Sequence, residues 1–367
     1  FTAVPRRLLA RLLPLTVEDG ADGTQGDDEL LTLDGRARPT GPDPLAALAP
    51  ALMLLIAWLA LITVAGGWAV GRAFGARSDG RWPARLIPWL SAGAVLAYGE
   101  RAYVWVPASV VIGFVLFTFT VLLHEVVHRT IFASHASRWN GVLGYVYGVP
   151  GGLAPTQFAR WHLDHHEWLG TDDRDPKRAY LTPKKVKRWF KALYFTPALF
   201  PIYFRAAAKA AAGYEPALRR RVKLERLATT GFHVALLVTL GLALGWPTAL
   251  KLHAIPVFVV FPVAFVLNRL GQHYDVNPDD PAAWGTLMVR SPLLWDRIFL
   301  WSNYHLEHHY FPRVPFYNLR KLHMALRPLY ARLGLVPNTY RSILWQWFVL
   351  NKAPHTDWRL APGSPAS

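Results

Sequence analysis

The chain has no cysteine in 367 residues. Disulfides, thiolate zinc sites, iron–sulfur clusters and thioether-attached haem are therefore excluded, and any one-electron chemistry must rest on histidine and carboxylate. Acidic residues are also scarce, with 24 Asp and Glu against 40 Lys and Arg and a net charge of +16. No stretch sustains strand alternation, no segment repeats, and no soluble domain boundary interrupts the middle of the chain. An all-α architecture is what remains.

Apolar residues are abundant, at 52% of the chain, above the roughly 45–50% of soluble domains. Crossing about 30 Å of hydrocarbon takes roughly 20 helical residues. Ala46 to Val70, Val106 to Leu123, Leu227 to Trp246 and Leu252 to Leu267 are the clearest such runs, and Leu86 to Gly99 is a shorter, ambiguous one. The expectation is an all-α integral membrane protein with about four transmembrane helices, capped on the cytoplasmic side by helices from the polar segments.

Three parts follow along the chain. Residues 1–45 read as a mobile tail, with an acidic, Gly- and Asp-rich piece at Glu18 to Glu29 and a Pro-rich approach to the first run. Residues 46–350 form the membrane domain, and 351–367 are a loose tail. The polar, basic amino end shows no cleavable signal pattern. Basic clumps at Arg174 to Lys191 and Arg205 to Arg226 flank apolar runs, which places them in the cytoplasm. Nucleic-acid binding is not expected, because a basic groove normally sits on a soluble fold.

Histidine placement carries the chemistry. Of 14 histidines, eight fall into three clusters: His124-Glu-Val-Val-His128, His162-Leu-Asp-His165-His166 and His305-Leu-Glu-His308-His309. Spacings of three and four residues put the rings of each cluster on one helical face, so each of the last two could offer a metal three nitrogens. Imidazole suits iron, copper, zinc and nickel alike, but eight or more rings exceed one four-coordinate site and suit two metals. Two irons are the economical choice. The nearby carboxylates Glu125, Asp164, Glu167 and Glu307 could orient ring N–H groups.

These three boxes, HEVVH, HLDHH and HLEHH, together with NYHLEHHYFPRVPFYNL, resemble the membrane fatty acid desaturase superfamily over about Phe117 to His323. The resemblance implies a non-haem di-iron centre that uses O2 to remove two hydrogens from a lipid acyl chain. It further implies a ninth ligand before the third box, which His273 of Gln272-His273 supplies. Asn268 matches, one residue out of place, an asparagine that binds a metal-linked water in acyl-CoA relatives. The first box has three intervening residues and the third begins with histidine, so acyl-lipid, omega-type or sphingolipid-type desaturases are the nearer relatives. The chain lacks the H-P-G-G of a fused cytochrome domain, so electrons from NAD(P)H are expected through a separate reductase and a ferredoxin or cytochrome partner. Phe114, Phe117, Phe119 and Phe265 are candidates to line the acyl channel. His135, His233, His253, His323 and His355 read as structural or surface residues.

Three alternatives stand beside desaturation. A lipid or carotenoid hydroxylase or ketolase shares the same boxes. An intramembrane zinc protease would use His124, His128 and Glu125 as H-E-x-x-H, leaving the other box histidines without a role. A membrane scaffold or transporter would use the histidines to conduct protons or metal ions.

Overall fold

A computed structural model describes residues 87–131, 138–169, 174–183, 187–274 and 286–351. The amino-terminal tail, the run Ala46 to Val70, His135, His355 and the end of the chain from 352 lie outside the described residues. The architecture is all-helical, and the one strand-like pairing among the described residues is a single bridge between Val289 and Asn338.

The helices that position the site are α1 (Ile87–Tyr98), α2 (Ala102–Val127), α3 (Arg138–Gly148), α4 (Pro155–Glu167), α5 (Leu199–Ala211) and α6 (Pro216–Leu244), followed by α7 (Trp246–His273), α8 (Leu293–Ile298), α9 (His305–Tyr310) and α10 (Phe316–Arg332). Among the described residues, α2 and α7 are long and apolar enough to cross a bilayer. At 26 and 28 residues they measure about 39 and 42 Å at 1.5 Å per residue. The run Leu227 to Trp246 falls mostly in α6, whose first turns are strongly charged, and the short run becomes the 12 residues of α1.

Helix α7 is irregular for a reason visible in its sequence. Pro247, Pro256 and Pro262 bring no N–H to the helical ladder, and two π turns, Leu250–Ala254 and Pro256–Val260, absorb the mismatch without breaking the rod. Helix α2 packs against α1, α3, α4 and α7. The core is formed by Phe117, Phe119, Leu122 and Leu123 of α2 with Phe261 and Ala264 of α7, Phe299, and Phe316 of α10. Phe117 meets Phe299 edge to face at 5.4 Å.

Helices α2 and α7 approach closely at Gly113. A Cβ built there would lie 2.4 Å from Val260 Cβ and 3.0 Å from the Pro256 carbonyl oxygen. Small residues at such crossings let two backbones touch. Gly113→Ala is expected to destabilise the protein by about 1–3 kcal/mol through overpacking, read as a lower apparent melting temperature in detergent. Val260→Gly in the same chain, which removes the Cβ that the new methyl meets, should restore part of the loss, and a double variant no better than Gly113→Ala alone would contradict this contact.

Two turns aim the histidines. Helix α2 ends within the first box, with His128 as its C-cap: Arg129 takes a left-handed φ of 55°, its N–H donates to Val126 O, and the Thr130 N–H donates to Glu125 O. That is the Schellman pattern, which here holds His124 and His128 in the last turns of a rigid helix. Before the third box, Leu300 and Trp301 both have positive φ, 48° and 53°, a conformation that costs about 1–2 kcal/mol per non-glycine residue. A network overrides that cost. The Trp301 N–H donates to Asp296 O at 2.7 Å, and the Asp296 carboxylate accepts from Asn303 Nδ2 at 2.7 Å, from the Tyr304 hydroxyl at 3.0 Å and from Ser291 Oγ.

Candidate metal centre

All nine expected histidines are described and come together as two groups. His124, His128, His162, His166 and His308 form one, and His165, His273, His305 and His309 form the other, with the donor atoms of each group all within 4.8 Å of one another. In the first, the Nε2 atoms follow one another from His128 to His162 (2.6 Å), His166 (3.0 Å), His308 (3.0 Å) and His124 (3.0 Å). In the second they run from His165 to His273 (3.0 Å), His305 (2.8 Å) and His309 (3.0 Å).

Hydrogen bonding alone does not account for such contacts. A ring nitrogen carries either one proton or one lone pair, so a nitrogen flanked by two others can satisfy only one of them properly. A cation at the common centre accepts all the lone pairs together. Donors about 2.1 Å from a metal and at right angles to one another lie about 3 Å apart, the spacing found here. Burial holds His128, His162, His166, His305, His308 and His309 well below the ordinary imidazole range, so these rings are neutral and their lone pairs are available. The residues present therefore fit two metal ions with nitrogen-rich coordination.

The grouping corrects the expectation that each H-x-x-H-H box offers three nitrogens to one metal. His162 and His166 join one group while His165 joins the other; His305 and His309 join one group while His308 joins the other. Helix geometry explains the split, because residues i and i+4 are about 40° apart around the axis and i+3 is about 100° from i+4. The i and i+4 rings of a box therefore converge, and the i+3 ring points to the neighbouring centre.

The carboxylates are arranged differently from the sequence reading. Glu125 does lie against a box ring, 3.4 Å from His124 Nδ1, and it accepts from Thr130 Oγ1 at 2.6 Å and from the Phe316 N–H at 3.1 Å. Asp164 instead pairs with Arg160 one helical turn away, at 3.0 Å, and Glu167 is exposed. Glu307 accepts from the Tyr330 hydroxyl at 2.9 Å and pairs with His323 Nδ1, so it ties α9 to α10. The residue that sequence reasoning missed is Asp175. It is fully buried, and both its oxygens lie 3.0 Å from His165 Nδ1. With the proton on Nδ1 donated to this carboxylate, His165 Nε2 is left bare and aimed at its group. The sole sequence signal was the Asp175-Pro176 pair, which marks a turn and says nothing of a partner ten residues earlier.

Beside the centre opens a pocket with His124, His162, His305 and His308 on its wall. Phe117, Val121, Phe158, Phe265, Phe316 and Leu319 make it apolar. Of the four expected channel phenylalanines, Phe117 and Phe265 line it; Phe119 is buried in the core, and Phe114 packs edge to face on Phe299 at 5.9 Å. A polar side is formed by Lys177, Asn268, Arg269, Gln272 and Ser302. The Asn268 amide is engaged at both ends, donating to Ser302 Oγ at 2.7 Å and accepting from Gln272 Nε2 at 2.9 Å. His233 and His253 stack on each other at 5.2 Å away from the two groups, with His233 Nε2 2.9 Å from Val149 O.

A helical protein with two groups of convergent imidazoles beside an apolar pocket has a construction suited to an enzyme that modifies lipids. Residues 100–341 match the fatty acid desaturase family model, and the chain belongs to that family and is an oxidoreductase. It is 25% identical over 242 residues to the sphingolipid delta(4)-desaturase/C4-monooxygenase of Rattus norvegicus, covering 62% of this chain and 67% of that protein. It is 26% identical over 276 residues to the chloroplastic omega-3 fatty acid desaturase of Glycine max, covering 67% of this chain and 59% of the relative. A shorter match, 31% over 84 residues and 23% of this chain, is to the sphingolipid delta(4)-desaturase of Bos taurus.

Proposed function

We propose that the protein is an O2-dependent desaturase of lipid acyl chains, with one iron held by His124, His128, His162, His166 and His308 and the other by His165, His273, His305 and His309. The observation that carries this reading is the pair of convergent imidazole groups on the wall of an apolar pocket. An unactivated methylene has no acidity for a base to exploit, so the oxidising power must come from the bound irons, O2 and supplied electrons. The chain's own share is placement. The pocket phenylalanines hold an extended alkyl chain against the box rings and exclude water. Asp175 fixes the tautomer of His165, and Glu125 steadies His124 and the start of α10.

Helices α2 and α7 sit in the bilayer on this reading. Helix α6 joins them, since Leu227, Val234, Val238 and Leu242 are all exposed along it, an apolar face that a soluble monomer would not leave to water. The run Ala46 to Val70, outside the described residues, is the expected fourth. The basic segments between α4 and α6 then face the cytoplasm together with the metal centre. A ferredoxin or cytochrome donor supplies electrons from NAD(P)H through its reductase. The protease alternative loses support because Glu125 is committed to Thr130, Phe316 and His124 and both box-one rings belong to a larger group.

Hydroxylation is the second reading, favoured by the double name, desaturase and C4-monooxygenase, of the rat relative. Expression in a host of simple lipid profile, with gas chromatography and mass spectrometry of derivatised acyl chains, separates the two. A new unsaturated product is expected. Hydroxylated chains alone would replace desaturation by hydroxylation, and a purified protein that binds zinc to the exclusion of iron would sink both.

A further inference from the structure

On the polar side of the pocket lies a hydrogen-bond network in which every hydrogen can be traced. Ser302 Oγ donates to Phe299 O at 2.6 Å, so the Asn268 nitrogen, 2.7 Å away, is its donor. The Gln272 nitrogen also faces a backbone carbonyl, Ser302 O at 3.2 Å, and gives its other hydrogen to Asn268 Oδ1 at 2.9 Å. Main-chain carbonyls only accept, so these two fix which end of each amide is oxygen. Both Gln272 hydrogens are thereby spent, while its side-chain oxygen accepts nothing among the described residues. Gln272 is only 8% exposed, and it shares the pocket wall with Asn268, Ser302, His305 and His308. A carbonyl oxygen bare in an apolar cavity gives up water without a replacement. The phenylalanines of the wall, Phe117, Phe265 and Phe316, have no hydrogen to offer it.

We propose that Gln272 Oε1 is a subsite for a hydrogen-bond donor carried by the lipid itself, a hydroxyl or an amide N–H. The subsite rests on the reading that this pocket takes a lipid chain, and it narrows which lipids fit. An unbroken hydrocarbon stretch leaves the oxygen buried and unpaired, whereas a chain bearing the donor satisfies it, which is how a polar site separates two otherwise similar ligands. His305 of the four-histidine group and His308 of the five-histidine group stand on the same wall. The donor is thus held beside the metal centre, and the carbons oxidised lie near the carbon that bears it.

Equilibrium binding of radiolabelled 1-hexadecanol, palmitamide and 1-fluorohexadecane to the purified, metal-loaded, full-length protein tests this. All three carry a 16-carbon chain with a compact polar end, but the fluoride has no hydrogen to give. The wild-type chain should bind at least one of the first two about ten-fold or more tighter than the fluoride, and the preferred one identifies the donor as O–H or N–H. Gln272→Met, which keeps the length and loses the oxygen, should reduce that preference to about two-fold or less. Equal wild-type binding of all three probes overturns the proposal without recourse to any variant. So does a Gln272→Met chain that keeps its preference, since a metal ion would then be holding the alcohol or amide oxygen. Loss of one ion per chain in Gln272→Met overturns it too, because the side-chain oxygen would then be a metal ligand. Lipid profiling decides desaturation separately: a chain that binds with this preference but makes no double bond keeps the subsite and loses the desaturase reading.

Discussion

His308→Ala is expected to abolish product and to empty one of the two metal positions. His308 Nε2 lies 3.0 Å from both His124 Nε2 and His166 Nε2, so it joins the first and second boxes within the five-histidine group. Loss of an outer partner of a metal ligand already lowers affinity or activity about 10–100-fold, and loss of a ligand should exceed that. New unsaturated acid should fall more than about 100-fold, while iron per chain drops from near two to near one. The four-histidine group contains no His308 atom and should keep its ion. Size-exclusion chromatography in detergent checks that the variant remains folded. Undiminished product, or loss of both ions together, would show that the two groups are not independent sites of the kind described.

Asp175→Asn probes the other group through a residue that touches no metal. The substitution keeps shape and one acceptor, but it removes the charge and lets an NH2 face His165 Nδ1 in half of the possible orientations. His165 then no longer has a fixed bare Nε2, and affinity at the four-histidine group should fall about 10–100-fold. Dialysis against a graded chelator, with iron counted per chain, reads this directly. One ion should leave at a lower chelator concentration than in the wild type, with the five-histidine group unaffected. Asp175→Ala should be worse, because it leaves a fully buried ring N–H without its acceptor. Equal chelator resistance in Asp175→Asn would demote Asp175 to a simple helix-start residue.

Local spacing made eight ring positions legible, and the family resemblance added His273. What spacing could not show was how the boxes interlock. Each box was readable as one face of a helix, yet the division of His165 from His162 and His166 depends on where α7 and α9 arrive, and those contacts are tertiary. Asp175 was invisible for the same reason. Asp175 lies beyond the end of α4, which carries His165, so no helical spacing pairs the two. Glu307 misled because its neighbours in sequence are ligands, whereas its carboxylate faces away toward His323 and Tyr330. The helical class was legible from apolar runs. The irregularity of α7 was written in its prolines but had no partner in the sequence to give it meaning.

The two histidine groups draw on α2, α4, α7 and α9, segments from opposite ends of the catalytic region. On the proposed ligand set, metal loading does what a set of long-range cross-links would do, closing loops that the cysteine-free chain has no covalent means to close. Binding energy at the centre is then also folding energy for the helices that carry the rings. On that ligand set, a cell short of the metal would lose the protein itself, through proteolysis of the loosened helices, as well as its turnover.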